Sequence, residues 1–327
     1  MSFFAILLAL LLEQARPLSR DNPAHAGIRA WVVSVRQNFD AGQNQGWIAW
    51  WLAVVPPVLL VCGVYWLLIR WVGWPVAMLW NVAVLYVTLG FRQFSHHFTR
   101  IRDALESGDE YAARQVLADW RQVENVDVPR SEVVRHVIEY SVLSAHRHVF
   151  GVFFWFTLLA MLGLGPAGAV LYRIAEYLSR YWSRKSIGGA LPVSGYLQHA
   201  ARRAWELIDW LPARLTAMGF AIVGSFEEAI DGWRCHSSRF PNDNDGIILA
   251  ATAGAINIRL GGEALRQREY LDVAPIDDGG DDYAGSDSTP GQEPQIGHLH
   301  SVVGLVWRLV VVWMLLLGLL TLARLLG

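Results

Sequence analysis

Lysine is nearly missing from this chain and cysteine is scarce: Lys185 is the one lysine and Cys62 and Cys235 are the two cysteines in 327 residues. Arginine therefore carries almost all of the positive charge. Cys62 lies in an apolar run and Cys235 in a polar stretch, which excludes a disulfide framework. Two cysteines without ligand spacing also exclude a zinc ribbon. Charge of either sign is short. Charged residues make up 17% of the chain, against ~25% in soluble domains. The formal net charge is −2, so no basic footprint for nucleic acid exists. A phosphate loop of the P-loop type and a nucleophile elbow are both missing.

What is abundant is apolar surface. The chain is 54% hydrophobic with 16 Trp, a composition that predicts an all-α, polytopic helical integral membrane protein with a cytoplasmic helical region and four or five membrane-embedded segments. The central stretch, Val149 to Tyr172, has no ionisable side chain before Tyr172 and is long enough to enter or cross a hydrocarbon core of ~30 Å. Gly163, Gly165, Pro166 and Gly168 interrupt it, which gives either a kinked span or a re-entrant hairpin that returns to the same side. Polar shoulders flank it: Glu139, His146, Arg147 and His148 before, and Arg173, Glu176, Arg180, Arg184 and Lys185 after.

Five segments follow from this pattern. Residues 1–91 read as N-terminal membrane helices. An apolar opening to Leu12, too short for a full span, precedes a polar stretch with one short amphipathic helix. Two spans then follow, Trp47–Ile69 with a kink at Pro56-Pro57 and Trp71–Phe91, joined at Arg70. Their tryptophans are interfacial anchors. Residues 92–148 form a helical region with a helix starting at an Ser131 cap. Eight arginines lie between Phe91 and Arg147, which places the region in the cytoplasm by the positive-inside rule. Residues 149–226 are the central membrane-embedded region, ending in a second ambiguous segment whose first half carries Glu206, Asp209 and Arg214. Residues 227–301 are soluble, with a small-residue helix at Ala250–Leu260 closed by Gly261-Gly262 as a helix stop, and an acidic, Gly/Ser-rich, disordered stretch at 272–297. Residues 302–327 form the last span, where Arg308 snorkels to the interface.

The polar residues that survive in this setting are the candidate site. Glu139 follows Arg135 by four residues and pairs with it on one helix face. Arg173, Arg180, Arg184 and Lys185 make a basic shoulder suited to anionic lipid headgroups or a phosphorylated ligand. Histidines are numerous (His96, His97, His136, His146, His148, His298, His300). His146 and His148 point about 200° apart on a helix and do not share an ion, so no metal site is expected.

From Arg135 onward the chain resembles the CobD/CbiB family of cobalamin-biosynthesis membrane proteins. The family pattern RAVVE-x-x-AEN-x-x-DG-x-x-APLFW is matched by RHVIEYSVLSAHRHVFGVFFW at Arg135, Glu139, Phe154 and Trp155. Its PGA-x-x-YRA is matched at Pro166, Gly168, Ala169, Tyr172 and Arg173. PARLT is intact at Pro212–Thr216, and NDNDGIILAATAGAINIRLGG keeps Asn244, Gly246, Ala253–Ala255 and Arg259–Gly262. The resemblance implies ATP-dependent attachment of aminopropanol or its phosphate to cobyric acid at the bacterial inner membrane. It would make ATP and magnesium the cofactors, if that activity is retained, and a corrinoid precursor and membrane lipid the partners. It further implies Glu139, Arg214 and Asn244 as catalytic residues and Arg135, Arg147 and Arg173 as ligand-binding ones. The departures are equally specific. Acid or amide positions of the family are Leu143, Ser144 and Arg147 here; its Asn-Thr-x-Asp is Glu176, Tyr177 and Ser179; RQVENVD replaces an RDT motif; an acidic pair before PARLT is Trp205-Glu206; and a Glu before the small-residue helix is Leu249. An arginine in place of an acid repels magnesium and attracts phosphate. The opening MSFFAILLALLLEQ, the FFWF…LGP…YR stretch and the W-LP-RL element also resemble AmpE-like membrane proteins of β-lactamase induction, which implies a non-catalytic sensor role as the alternative.

Overall fold

The structure is a computed structural model that describes residues 2–16, 22–39, 45–121, 129–183, 193–262 and 288–326. Arg184, Lys185, the side chains of His96 and His97, most of the RQVENVD stretch and residues 272–287 of the acidic segment lie outside the described residues. Thirteen α-helices are described. In chain order they are α1 Ser2–Ala15, α2 Pro23–Phe39, α3 Gln45–Trp71, α4 Trp74–Thr88, α5 Phe91–Glu106, α6 Glu110–Arg121 and α7 Arg130–Ala145. A π-helical turn, His146–Phe150, leads into α8 Gly151–Met161, followed by α9 Ala167–Ser183, α10 Gly195–Val223, α11 Phe226–His236, α12 Asp243–Ile256 and α13 Ile296–Leu326. The fold is all-α.

Among the described residues, three helical stretches are long and apolar enough to cross a membrane: Gly46–Trp71, Arg130–Met161 and Ile296–Ala323. The expected second span of the N-terminal pair is shorter than the sequence suggests. α4 has 15 residues, ~22 Å at 1.5 Å per residue, less than a ~30 Å core. It stops because Leu89 turns to an extended conformation. α1, with 14 residues, is also short of a span. α7 begins at Arg130 after Pro129, and no side chain caps it, so Ser131 is not its cap.

The chain divides into two compact units. The first comprises residues 1–92, 147–212 and 313–327. Within it, α8 and α9 pack against each other as an antiparallel hairpin. The chain turns back over Leu162–Pro166, where Gly163 and Gly165 have φ values of 80° and 59°, a backbone only glycine adopts at low cost. The two glycines of the hairpin fix its register. A Cβ on Gly168 would lie 1.9 Å from the Trp155 carbonyl oxygen, and one on Gly151 would lie 2.1 Å from the Tyr172 ring. The central element is thus a returning hairpin and not a kinked single helix.

Two prolines in this unit leave carbonyls without their helical donor, and tryptophans supply it. Pro57 lacks the N–H that would reach Ala53, and the Trp31 indole donates to the Ala53 oxygen at 3.3 Å. Pro212 does the same to Ile208, whose oxygen accepts from the Trp155 indole at 3.0 Å. Both helices therefore run unbroken through their prolines, because an orphaned carbonyl in an apolar setting needs a substitute partner.

The second unit comprises residues 93–146 and 213–312. α11 and α12 form its tightest pair. A Cβ on Gly254 would lie 2.0 Å from the Glu228 oxygen and one on Gly232 would lie 2.6 Å from the Ala250 oxygen, so the small residues let the two backbones touch. α12 starts seven residues earlier than the composition suggests and ends at Ile256, where Asn257 takes a left-handed conformation (φ 51°). Gly261-Gly262 is therefore not the helix stop. Residues 288–297 are ordered, correcting the expected disorder: Ser288 and Gln292 bridge to Gly261 and Ile258. The buried Thr289 hydroxyl accepts from the Leu260 N–H at 2.9 Å, which ties that segment down. Arg308 donates from Nη1 to the Val223 oxygen at 2.9 Å. It caps the last carbonyl of α10.

Candidate functional site

The six residues singled out by sequence fall into three pairs. The first is Arg135 with Glu139, on the polar first half of α7. Both are buried, at 7% and 4% exposure, and so is the neighbouring His136. Arg135 Nε lies 3.7 Å from Glu139 Oε1, and the Arg135 guanidinium also bonds Glu132 in the first turn. His136 Nδ1 lies 3.4 Å from the other Glu139 oxygen. The spacing i, i+3, i+4 places all of these on one side of the helix, as the sequence indicated.

What the sequence did not indicate is the partner that arrives from 122 residues away. The Gly261 N–H donates to Glu139 Oε1 at 2.8 Å. Gly261 and Gly262 have φ values of 83° and 122°, open to glycine and costly for other residues. A Cβ on Gly262 would sit 2.7 Å from Arg135 Nη1. The glycine pair thus lets the backbone approach a buried carboxylate and leaves room for its arginine. Glu139 is held on one oxygen by a peptide N–H and a guanidinium, and on the other by an imidazole. Such a carboxylate keeps one fixed geometry and can hold a proton or a charged ligand in a set position.

The second pair is Arg214 with Asn244, whose Nη1 and Oδ1 are 3.4 Å apart. Asn244 is the second residue of α12, not part of a preceding loop. Close by in sequence, Thr216 meets His146, with Nδ1 and Oγ1 2.9 Å apart and both residues buried. His146 is thereby tied into the packing of α10. Among the described residues no three of His, Cys, Asp or Glu gather to hold a metal ion.

The third pair, Arg147 with Arg173, belongs to the hairpin. Arg173 Nη1 and Arg180 Nη2 each donate to Glu176 Oε2 at 3.1 Å, and Arg180 Nε approaches the other oxygen. Glu176 is 2% exposed. Arg147 stands opposite it. Gly151 meets Tyr172 and Gly168 meets Trp155, and extending that register one turn brings position 147 across from 176. α9 lies outside the three candidate spans. Burial opposes ionisation of Glu176, but Arg180, Arg173 and Arg147 outweigh it and hold the carboxyl below the usual glutamate range. Beside this group the Tyr172 hydroxyl donates to Asp209 Oδ1 at 2.8 Å, both fully buried. In this part of the basic shoulder expected from sequence, Arg173 and Arg180 are ion-paired to the buried Glu176 of their own helix. The sequence does not reveal the Tyr172–Asp209 pair; its available signal is an acid in the charged first half of an otherwise hydrophobic segment.

The family's acid position at 147 and its amide position at 176 therefore face each other here as Arg147 and Glu176. Magnesium, implied by the resemblance, does not fit these residues, since both Glu176 oxygens are already engaged by guanidinium groups.

Comparison with known proteins bears on the whole chain. A cobalamin biosynthesis protein CobD of Stutzerimonas stutzeri is 29% identical over 324 residues, 96% of either chain. One from Chromobacterium violaceum is 34% identical over 200 residues, 60% of this chain and 59% of the relative. One from Mycobacterium tuberculosis is 28% identical over 208 residues, 62% of each. No solved structure matches. The family match is to the CobD/CbiB proteins and does not extend to the AmpE-like resemblance. It runs from residue 4 to 289, through Glu139, the hairpin, PARLT and the glycine pair: the chain belongs to the CobD/CbiB family.

Proposed function

We propose that this protein acts in cobalamin biosynthesis as a multi-pass protein of the bacterial inner membrane, on a corrinoid precursor. Its step is the one the family resemblance describes, amide attachment of aminopropanol or its phosphate to cobyric acid. The observation that carries this reading is the Glu139 site. Three separate stretches of the family pattern, at Arg135–Glu139, at Asn244 and at Arg259–Gly262, fall within one unit, and the first and last are joined by the Gly261–Glu139 hydrogen bond. In this reading Glu139 and Arg135 hold the reacting polar groups, and Arg214 with Asn244 lines the same unit. No step is routed through magnesium at the hairpin, where the residues do not suit it.

Complementation tests the proposal. Expression in a strain lacking the authentic enzyme should restore cobinamide formation, and Glu139→Gln should abolish the rescue at equal membrane abundance. A well-expressed wild type that gives no rescue would reject the catalytic reading. The substitution of a family acid by Arg147, facing Glu176, favours one second reading specifically: a scaffold that kept the fold and lost the chemistry, as a non-catalytic membrane sensor would. That reading requires wild type and Glu139→Gln to behave alike.

A further inference from the structure

We infer that Thr289 is a positioning residue for Glu139: it holds Leu260 at both of its backbone polar groups and so aims the neighbouring Gly261 N–H at the buried carboxylate. The inference rests on the reaction proposed at Glu139 and adds a residue outside the six singled out by sequence. The Leu260 N–H donates to the Thr289 hydroxyl at 2.9 Å, and the Leu260 oxygen accepts from the Thr289 N–H at 2.8 Å. The hydroxyl in turn donates to the Ile258 oxygen at 3.4 Å. Thr289 is 2% exposed and Leu260 is fully buried, so water does not compete for these bonds. The same two stretches go on pairing beyond Leu260. The Arg259 N–H donates to the Gln292 oxygen at 2.8 Å, and the Gln292 N–H donates to the Asn257 oxygen at 3.2 Å. Gly291 permits the close approach, since a Cβ there would lie 2.6 Å from the Ile258 carbonyl carbon.

The carboxylate needs this second hold. Gly261 and Gly262 both have positive φ, and glycine loses more backbone freedom on ordering than any other residue. Two in a row lose more than the net gain of one hydrogen bond restores. The Gly261–Glu139 bond therefore does not fix its own donor, and the residue before the pair must already be fixed. Geometry carries the effect from one side to the other. The Leu260 carbonyl and the Gly261 N–H belong to the same planar peptide unit and point in opposite directions from it. Thr289 holds that unit by its oxygen, and the unit's hydrogen then points at Glu139. A hydrogen bond accepted at one end of a peptide unit also polarises it and strengthens the bond donated at the other. A wall of the carboxylate site thus depends on a residue that does not touch the carboxylate.

Two variants of the full-length protein test it. Thr289→Val keeps the shape and leaves the buried Leu260 N–H without an acceptor; Thr289→Ser keeps the hydroxyl and gives up a methyl. Amide hydrogen exchange in neutral detergent, read by mass spectrometry on fragments that resolve Leu260 and Gly261, reports the clasp independently of any reaction. Thr289→Val should speed exchange at both amides about tenfold, the equivalent of one hydrogen bond, and Thr289→Ser should stay within about threefold of the wild type. Turnover is then measured in membranes at varied cobyric acid, with aminopropanol phosphate and ATP supplied. Thr289→Val should lower kcat about tenfold or more with KM within about twofold of the wild type, because a misplaced carboxylate costs rate and not occupancy. Thr289→Ser should retain the wild-type kcat. A residue that matters only by packing gives the reverse order, with valine tolerated and serine impaired. That reverse order, exchange unchanged in Thr289→Val, or a wild-type kcat despite faster exchange overturns the inference. A wild type with no turnover rejects the reaction at Glu139 and not the clasp, which the exchange measurement alone then upholds or overturns.

Discussion

Trp155 and Pro212 offer a perturbation whose size follows from the structure. Pro212 withholds the N–H that would bond Ile208, and the Trp155 indole donates to that oxygen at 3.0 Å. Trp155→Phe keeps most of the packing and removes the donor, orphaning a partly buried carbonyl, which costs about 1–3 kcal/mol. Pro212→Ala alone restores the helical N–H and removes a ring that costs about 3 kcal/mol in a helix interior, so it should stabilise. In the Pro212→Ala background Ile208 has its own donor, and Trp155→Phe then loses only ring area. The two substitutions are therefore non-additive, with a coupling of about 1 kcal/mol, above the ~0.3–0.5 kcal/mol scatter of independent sites. The assay is reversible unfolding of the full-length protein in mixed micelles, titrated with dodecyl sulfate and followed by circular dichroism. Additive effects across the cycle would refute the claim that the indole substitutes for the missing amide.

Three further outcomes follow from the same contacts. Gly262→Ala places a Cβ at φ 122° and 2.7 Å from Arg135 Nη1, so backbone strain of about 1–3 kcal/mol should appear in micelle unfolding. Adding Arg135→Ala should recover part of that loss by opening the space. Tyr172→Phe leaves the buried Asp209 short of a donor and should destabilise by about 1.5–3 kcal/mol, the range for hydrogen bonds to charged groups; an unchanged unfolding midpoint would contradict that. Because the folded Glu176 carboxyl is held below its usual range, its stabilisation is complete above the unfolded glutamate pKa and is lost as pH falls through the lower folded value. Glu176→Gln should therefore flatten the acid limb of the stability profile, and an acid limb as steep as the wild type's would argue against it.

How much of this could be read in the sequence depends on the range of the interaction. Helical class, the long apolar runs Gly46–Trp71 and Ile296–Ala323 and the Arg135–Glu139 pair are local or periodic, and they were legible. The sequence leaves the hairpin as one of two readings, because Gly163, Gly165 and Pro166 break a helix without saying which way the chain leaves. The partners that complete the polar groups were hidden. Gly261 reaches Glu139 across 122 residues and looked like a helix stop, since a glycine pair after a helical run has the same composition in either role. The carbonyl that Arg308 caps has no mark in the sequence, because a long side chain on an apolar helix does not announce its acceptor. Arg173 reads from sequence as part of a basic shoulder, and the ion pair with Glu176 three residues on is masked by the family pattern, which has an amide there. The Thr289 contacts that order residues 288–297 likewise depend on chain brought back from far away.

The central claim is that the buried carboxylate of Glu139, clasped by Gly261 and Arg135, serves a step on a corrinoid precursor. Its most direct test is cobinamide formation in a strain that lacks the authentic enzyme and expresses this protein, with membrane abundance measured in parallel. The account predicts rescue by the wild type and none by Glu139→Gln. Rescue undiminished by Glu139→Gln, or none by a wild type present in the membrane at normal abundance, would contradict it.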